Sequence, residues 1–249
     1  TLRWPFLLPS TLYMELNGFS NKEIKMHIGL IGGIGPAATE LYYRGLVKAY
    51  NNKNKRMSLT IVHADTREMV QNLEKGEIFL QASIFAKYID QLKAGGAEMV
   101  AVTSLGGHFC IKELEAMSAL PIINAIPILD AYFGELGIQR IGLLGTKPVM
   151  ESKLYGGISS VEVVIPKKGE IEEVHRSYIN VAISGAANDE QVAFFKLVGS
   201  KLYKEQGADV VVLGGTDLFL AFDKKEYDYV VIDSTQIHID AIARISMSS

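Results

Sequence analysis

The sequence of 249 residues has very little cysteine and no marked excess of either charge. Its single cysteine, Cys110, excludes an intrachain disulfide and a cysteine-rich metal site. The five histidines show neither HxxxH nor HxxEH spacing, so no zinc motif is predicted. A formal net charge of −3 gives no electrostatic reason to expect nucleic acid as a partner.

Long hydrophobic runs are missing as well. No stretch approaches the roughly 20 apolar residues that cross a bilayer, so we expect no membrane partner. A cytoplasmic location fits the single thiol and the absence of a secretory pattern. Residues 1–25 contain two prolines and no clean period. We interpret them as an extension, native or introduced, and base no function on it.

From His27 onward, apolar runs typical of buried strands alternate with helical stretches. The runs are Ile28–Ile31, Leu59–Val62, Met99–Val102, Ile141–Leu144, Val161–Ile165, Val210–Leu213 and Tyr229–Ile232. Strand–helix alternation of this kind predicts an α/β fold with parallel sheets covered by helices.

The chain also repeats itself. His27–Gly32 (HIGLIG) matches Arg140–Gly145 (RIGLLG), and Gly96–Val102 (GAEMVAV) matches Gly207–Leu213 (GADVVVL). Leu-Tyr recurs at the same offset after each first strand, at 41–42 and 154–155. Two matches in the same order indicate a duplicated unit. We therefore predict two similar parallel-sheet α/β lobes, related by a pseudo-twofold axis, with a ligand cleft between them.

We assign residues 26–125 and 219–249 to the first lobe and residues 126–218 to the second. Ligands of open α/β sheets bind beyond the carboxyl ends of the strands, so the loops after the matched strands are the candidate site.

The first of these loops is GGIGPAAT, residues 32–39. Gly33 and Gly35 let the backbone approach a ligand, and the helix start that follows, with Thr39, favours an anion such as a carboxylate. A tight strand-to-helix turn without a ligand would have the same sequence.

The second and third loops place Ser104 and Gly215 at equivalent positions of the two halves. A duplicated fold with equivalent positions facing one cleft suits two-base proton transfer, in which one group removes a proton from a carbon and another returns it on the opposite face.

Five motifs in order, GGIGPAAT, the loop before His108, LLGTKPVMESKLY, LGGTDL and the final IDSTQIH, resemble the aspartate/glutamate racemase family. The resemblance covers about residues 26–249. It implies an isomerase without a cofactor that acts on an amino acid or small dicarboxylate through two cysteine bases. One cysteine usually stands in Cys-Asn-Thr-x-His and the other in Gly-Cys-Thr-Glu. We further expect a homodimer.

Both implied cysteine positions are substituted. The first falls at Ser104, with His108 retained, and the second at Gly215, with Thr216 retained and Asp217 in place of glutamate. A serine hydroxyl is a far weaker acid than a thiol, and glycine has no side chain. Replacement of the two cysteines alone would have left Asn and Thr at positions 105 and 106, where Leu and Gly stand instead.

Other residues are weaker candidates for the site. Asp65 and Arg67 match a substrate loop of the family, although a surface salt bridge explains them equally well. Thr146 follows the first strand of the second half and is a candidate for carboxylate binding. Cys110 and His238 are candidates of the same weak kind, since a lone cysteine or histidine is more often packed in the core. We expect Tyr155 to pack, as its counterpart Tyr42 does in a helix.

Two functions follow from the sequence. One is a racemase-like isomerase or related lyase with divergent or impaired two-base catalysis. The alternative is a catalytically inactive homologue that binds a small carboxylate or a partner protein. Hydrogen exchange at the α-carbon of aspartate or glutamate separates them.

Overall fold

The computed structural model describes residues 26–33, 35–222 and 227–248. Residues 1–25, interpreted above as an extension, lie outside this part of the chain. The described residues form two parallel sheets covered by helices, which confirms the predicted α/β class. None of the helices described combines the length and the apolarity needed to span a bilayer.

The first sheet has three parallel strands in the order β2-β1-β3. These strands are β1 (His27–Gly32), β2 (Ser58–His63) and β3 (Met99–Val102). The same stretch of chain contains helices α1 (Pro36–Asn52), α2 (Thr66–Lys75), α3 (Ile78–Ala94) and α4 (Ile111–Met117), with a 3₁₀ turn at Gly106–Cys110 before α4. Pro36 suits the start of α1 because its fixed φ is helical and its missing N–H is not needed there.

The second sheet has four parallel strands in the order β5-β4-β6-β7. These strands are β4 (Arg140–Leu144), β5 (Glu162–Val164), β6 (Val210–Leu213) and β7 (Val231–Asp233). The helices of this part are α5 (Ala125–Glu135), α6 (Lys147–Glu151), α7 (Lys168–Ser184), α8 (Asp189–Gln206), α9 (Phe219–Phe222) and α10 (Ser234–Ser248), with a 3₁₀ turn at Thr216–Leu218 before α9.

Helices cover both faces of the first sheet, which explains its continuous apolar strands. Leu30 of β1 packs in one buried cluster with Tyr42 of α1 and Ile242 of α10. The next residue, Ile31, points to the opposite face and packs in another cluster with Phe85 of α3. Each such side chain contributes about 1.5–3 kcal/mol by leaving water.

The internal repeat is visible in the strand register and in the hydrogen bonds. Ile28 pairs with Met99 in the first sheet, and their counterparts Ile141 and Val210 pair in the second. The acidic residue of the second matched segment, Glu98 or Asp209, accepts the backbone N–H of the first residue of β1 or β4. Glu98 bonds to His27 N at 2.8 Å, and Asp209 bonds to Arg140 N at 2.9 Å.

One part of the sequence match does not correspond to equivalent structure. Tyr42 lies in helix α1, whereas Lys153, Leu154 and Tyr155 form a turn with φ values of 51°, 59° and 59°. The short helix α6 ends at Glu151, before the matched Leu-Tyr pair is reached. The shared spacing of this pair is therefore not a shared conformation.

The strand pairing also differs from the predicted lobe boundary at residue 218. Strand β7 pairs with β6 and extends the second sheet, although its residues were assigned to the first lobe. Helix α10, which follows β7, packs its Ile239 and Ile242 against α1 of the first lobe. Strand β7 therefore belongs to the second lobe, and helix α10 packs against the first. The other predicted lobe boundaries stay predictions.

Candidate functional site

Segments that follow six strands, β1 to β6, meet at a small cavity between the lobes, here named the inner cavity. First-lobe residues that line it are Gly35, Thr66, Met69, Val70, Leu73, Ser104 and Gly106. Second-lobe residues that line it are Thr146, Tyr178, Ile179, Ala182, Ile183 and Asp217. Its volume of about 30 Å³ is room for about one water molecule. Two larger grooves run along α10 and contain none of these residues.

A second space, the outer pocket, adjoins the inner cavity. It has a volume of about 520 Å³ and is lined by Pro36, His63, Asp65, Thr66, Arg67, Val70, Gln71, Ala182 and Ile183. Four of these residues, Thr66, Val70, Ala182 and Ile183, also line the inner cavity. The two spaces are therefore adjacent and share this part of their lining.

Ser104 follows directly on Thr103 at the carboxyl end of β3 and is buried. Thr103 N donates to Ile31 O at 3.1 Å, which holds this end of β3 against β1. The hydroxyl oxygen of Ser104 accepts the N–H of Gly107 at 3.4 Å, within the 3₁₀ turn that follows. The structure thus places Ser104, which lies beyond the carboxyl end of β3, on the inner cavity.

Asp217 enters the inner cavity from the other lobe and is fully buried. Its Oδ1 accepts the backbone N–H of Ala38 at 3.2 Å, in the first turn of α1. Its Oδ2 accepts the hydroxyls of Tyr178 at 3.3 Å and Thr216 at 3.5 Å. Burial raises the pKa of Asp217 to about 6, against the lowering effect of these three donors. A carboxyl with this pKa changes its charge near neutrality.

Asp217 occupies the helix start at which an external anion was predicted. Gly35 allows this approach, because a Cβ at residue 35 would overlap the Asp217 carboxylate and its φ of 90° disfavours other residues. Gly33 N is bonded to the hydroxyl of Thr39 at 2.8 Å. Two donors of this turn, Gly33 N and Ala38 N, therefore have partners within the protein, and Thr39 supports the turn from inside.

Gly215 is the structural counterpart of Ser104. Gly214 N donates to Leu144 O at 2.6 Å, as Thr103 N does to Ile31 O in the first lobe. A Cβ at residue 215 would overlap the aromatic ring of Tyr178, a residue of helix α7. The position predicted for the second cysteine is therefore without a side chain, and the ring of Tyr178 fills the adjacent space.

His108 and His238 lie in the core behind the cavity. His108 Nδ1 donates to Ser104 O at 2.6 Å, and its Nε2 accepts Ala125 N at 3.4 Å. His238 Nε2 donates to Ile123 O at 2.9 Å, and its Nδ1 accepts the hydroxyl of Tyr42 at 2.7 Å. Burial lowers the pKa of His108 to about 4 and that of His238 to about 3, so both rings are neutral at pH 7.

The remaining predicted site residues divide between the two spaces. Thr146 lines the inner cavity and caps α6, with its hydroxyl oxygen 3.4 Å from Val149 N. Asp65 and Arg67 lie on the outer pocket and are exposed. The carboxylate of Asp65 caps α2 by accepting Glu68 N at 2.9 Å, and this bond lowers the pKa of Asp65.

Cys110 has no contact with the inner cavity. Its thiol is buried and donates to Gly107 O at 3.6 Å. Burial raises the pKa of Cys110 to about 12, and the neighbouring charge of Glu113 acts in the same direction. A thiol with this pKa is protonated at neutral pH and is a poor nucleophile.

Two tyrosines of the site were not identified from the sequence. Tyr178 lies within a helix whose apolar spacing indicates only a core position. Tyr155 was expected merely to pack, but its hydroxyl donates to Leu105 O at 3.2 Å and Gly106 O at 3.1 Å, across the lobes. The backbone turn that directs Tyr155 there has no sequence signature, since its residues with positive φ are not glycine.

Comparison with known proteins identifies relatives of the whole described fold. A family model described as Asp/Glu/Hydantoin racemase matches residues 31–242. A Yersinia pestis protein assigned to the Asp/Glu racemases has a similar structure, with a TM-score of 0.76 and 27% sequence identity over 89% of this chain and 99% of that one.

An aspartate racemase homologue from Pyrococcus horikoshii has a TM-score of 0.71 and 26% identity, with the same two coverages. Glutamate racemase from Francisella tularensis, solved in complex with D-glutamate, has a TM-score of 0.60 and 13% identity over 91% of this chain and 82% of that one. At that identity the likeness extends to the fold alone.

Proposed function

Because this chain belongs to the Asp/Glu/hydantoin racemase family, we propose that it is a racemase-like isomerase whose acid–base group is Asp217. A small amino acid or carboxylate would bind at the inner cavity, without a cofactor. The observation that carries the proposal is the buried Asp217 carboxyl, which lines this cavity with a pKa of about 6. The proposal includes a homodimer in the cytoplasm.

The usual two-thiol chemistry of the family has no counterpart at these positions. Ser104 offers a hydroxyl, and Gly215 offers no side chain. Cys110 is a core thiol with a pKa of about 12 and does not line the cavity. Among the described residues that line the cavity, only Asp217 has a carboxyl that titrates near neutral pH, where an acid–base group is most effective.

The proposed step is reversible proton transfer on one face of the substrate. The Asp217 carboxylate takes the proton from the α-carbon, and the electron pair of the broken C–H bond moves into the substrate's carboxylate as an enolate. The Ser104 and Thr146 hydroxyls, which line the same cavity, are the donors available to that enolate. Asp217 then returns a proton to the same face. The substrate therefore exchanges its α-hydrogen with solvent faster than it inverts. Inversion occurs only when water, in place of a side chain at Gly215, protonates the enolate on the opposite face.

His108 has a positioning role in this proposal. Its Nδ1–H bond to Ser104 O fixes the backbone of Ser104, and both of its ring nitrogens already have partners. It is therefore not available to take a substrate proton.

A catalytically inactive homologue that binds a small carboxylate or a partner protein is the second candidate. Two observations favour it. The ring of Tyr178 lies against Gly215, and the inner cavity holds about one water molecule. In this case ligands would bind without exchanging the α-hydrogen.

The deciding experiment follows the α-proton of small amino acids in D₂O by NMR. We expect slow exchange with the unmodified protein, with inversion slower than exchange. Asp217→Asn should reduce exchange by about 10²–10⁴-fold, the usual contribution of an acid–base group. Asp130→Asn changes a carboxyl held by Ser159 and Ser160, away from the cavity, and should not affect the rate.

The two candidates differ in outcome. Binding without exchange would establish the inactive homologue. Exchange that persists unchanged in Asp217→Asn would place the chemistry on another residue and contradict the proposed role of Asp217.

A further inference from the structure

The described lining of the inner cavity is acidic. Of the residues described as lining it, Asp217 is the only ionisable carboxyl and none is lysine, arginine or histidine. Arg67 and Lys147 directly follow lining residues in the sequence, but neither lines the inner cavity: Arg67 lines the outer pocket, and Lys147 pairs with Glu172. A ligand in the inner cavity therefore meets one acidic group and no basic side chain of the described lining.

The Asp217 carboxylate is stabilised only by neutral donors. These are the N–H of Ala38 and the hydroxyls of Tyr178 and Thr216. Because the group is fully buried, solvent screens it weakly, and a second negative charge beside it would be strongly repelled. A ligand ammonium group would instead supply the opposite charge that Asp217 lacks.

The rest of the cavity wall is apolar. Helix α2 contributes Met69, Val70 and Leu73, and helix α7 contributes Ile179, Ala182 and Ile183. Their spacing of three to four residues places these side chains along one face of each helix. A charged substituent buried against this wall would lose its hydration without gaining a partner, whereas an uncharged one would gain contact.

From these observations we propose that the site selects α-amino acids with a small, uncharged side chain over aspartate and glutamate. The ammonium group faces Asp217, and the side chain packs between α2 and α7. The α-carboxylate, which all these amino acids share, lies at the Ser104 and Thr146 hydroxyls, as in the proposed step. The inner cavity has room for about one water molecule, so its lining side chains must move to admit an amino acid. This inference rests on the proposed function and narrows its substrate class.

The test compares aspartate with asparagine, which has nearly the same shape but an uncharged side chain, and with 2-aminobutyrate, which has a methyl group in place of the carboxylate. Affinities are measured by calorimetry at about pH 8, where Asp217 is ionised. We expect asparagine and 2-aminobutyrate each to bind at least about tenfold more tightly than aspartate.

Asp217→Asn removes the negative charge and keeps an oxygen acceptor. In this variant the preference for asparagine over aspartate should fall to less than about threefold. Asp130→Asn, which removes a carboxylate that lines neither the inner cavity nor the outer pocket, should retain most of the preference.

Each outcome decides a different question. If aspartate binds as tightly as asparagine or more tightly, the inference on the substrate is wrong while the proposed function stands. If none of the three amino acids binds at millimolar concentration, both the inference and the proposed function are wrong. A preference for asparagine that is unchanged in Asp217→Asn would also overturn the inference, because its stated cause would be absent.

Discussion

Asp217 shows how a single buried carboxyl connects stability with function. It reaches across the lobes to the first turn of α1, where a negative charge is favoured by the helix dipole and the N–H of Ala38. These contacts do not fully offset the loss of hydration, and the pKa consequently lies at about 6. Ionisation of Asp217 therefore lowers the free energy of unfolding of the protein.

Replacing Asp217 with asparagine should therefore stabilise the protein at about pH 8 and change little near pH 4. A carboxyl whose pKa is higher in the folded protein than its usual 3.8 loses its stabilising contribution as pH rises from about 4 to 6. The full difference corresponds to about 3 kcal/mol, an upper limit for the gain. Urea unfolding at both pH values measures it.

Asp130→Asn is the matched control for this prediction. Burial alone would raise the pKa of Asp130, but hydrogen bonds from Ser160 and Ser159 lower it to about 2. This replacement should therefore destabilise the protein at pH 8, and the effect should weaken as pH falls from about 4 to 2. A loss of stability in Asp217→Asn at pH 8 would show that its hydrogen bonds outweigh its desolvation.

Gly215→Cys should destabilise the protein, although a cysteine stands at this position in the family's usual motif. The new Cβ would overlap the ring of Tyr178, and overpacking of this kind costs about 1–3 kcal/mol. Gly169→Cys, in open space on α7, should change the free energy of unfolding by less than about 0.5 kcal/mol. Equal stability of the two variants would mean that the ring of Tyr178 moves aside at little cost in free energy. Restoring both cysteines requires this tyrosine to be shortened or displaced.

Among the described residues, the turn at Lys153–Tyr155 concentrates backbone strain. Three successive residues other than glycine have positive φ, each at a cost of roughly 1 kcal/mol. The turn nevertheless brings the Tyr155 hydroxyl to the loop that follows Ser104. Strain is thus retained at an element that positions the candidate site.

Lys153→Gly should relieve part of this strain. Lys153 is exposed and its φ is 51°, so glycine should raise the free energy of unfolding by up to about 1 kcal/mol. The same exchange at Lys87, an exposed residue within helix α3, should lower it by about 1 kcal/mol. Thermal unfolding of the two variants measures both. Shifts of the same sign would show that the turn is not strained at residue 153.

For the whole molecule, two contacts described above tie the lobes together at the inner cavity. One joins Asp217 to α1, and the other joins Tyr155 to the loop after β3. Both lie beside the cavity, so they hold the cleft closed and contribute to its small volume. Ligand binding and the relative position of the lobes are therefore expected to be coupled.

Tyr155→Phe tests this connection, because it removes only the hydroxyl. The carbonyls of Leu105 and Gly106 would lose a donor, at a cost of about 1–2 kcal/mol. Amide hydrogen exchange should accelerate in the segment 104–108 more than in the strands. Tyr43→Phe, which removes a hydroxyl from an exposed tyrosine, should have almost no effect. Unchanged exchange in the segment would show that Tyr155 does not hold the loop.

The sequence determined the architecture because hydrophobic burial leaves a local signal. Buried parallel strands must be continuously apolar, so β1, β3, β4 and β6 could be predicted within a residue or two. The two repeats in matching order predicted the equivalent registers, and the strand-end loops predicted that Ser104 and Asp217 lie at the site.

Tertiary structure alone decided how these residues are used. The carboxylate of Asp217 caps a helix 179 residues away, and the ring of Tyr178 fills the space beside Gly215. Likewise, β7 joined the second sheet while α10 joined the first lobe. None of these contacts has a local pattern, because each depends on which distant surfaces packing brings together. The sequence therefore predicts the location of the cleft. Only the packed structure shows the charge of its lining, its volume and the Tyr178 ring that fills the space beside Gly215.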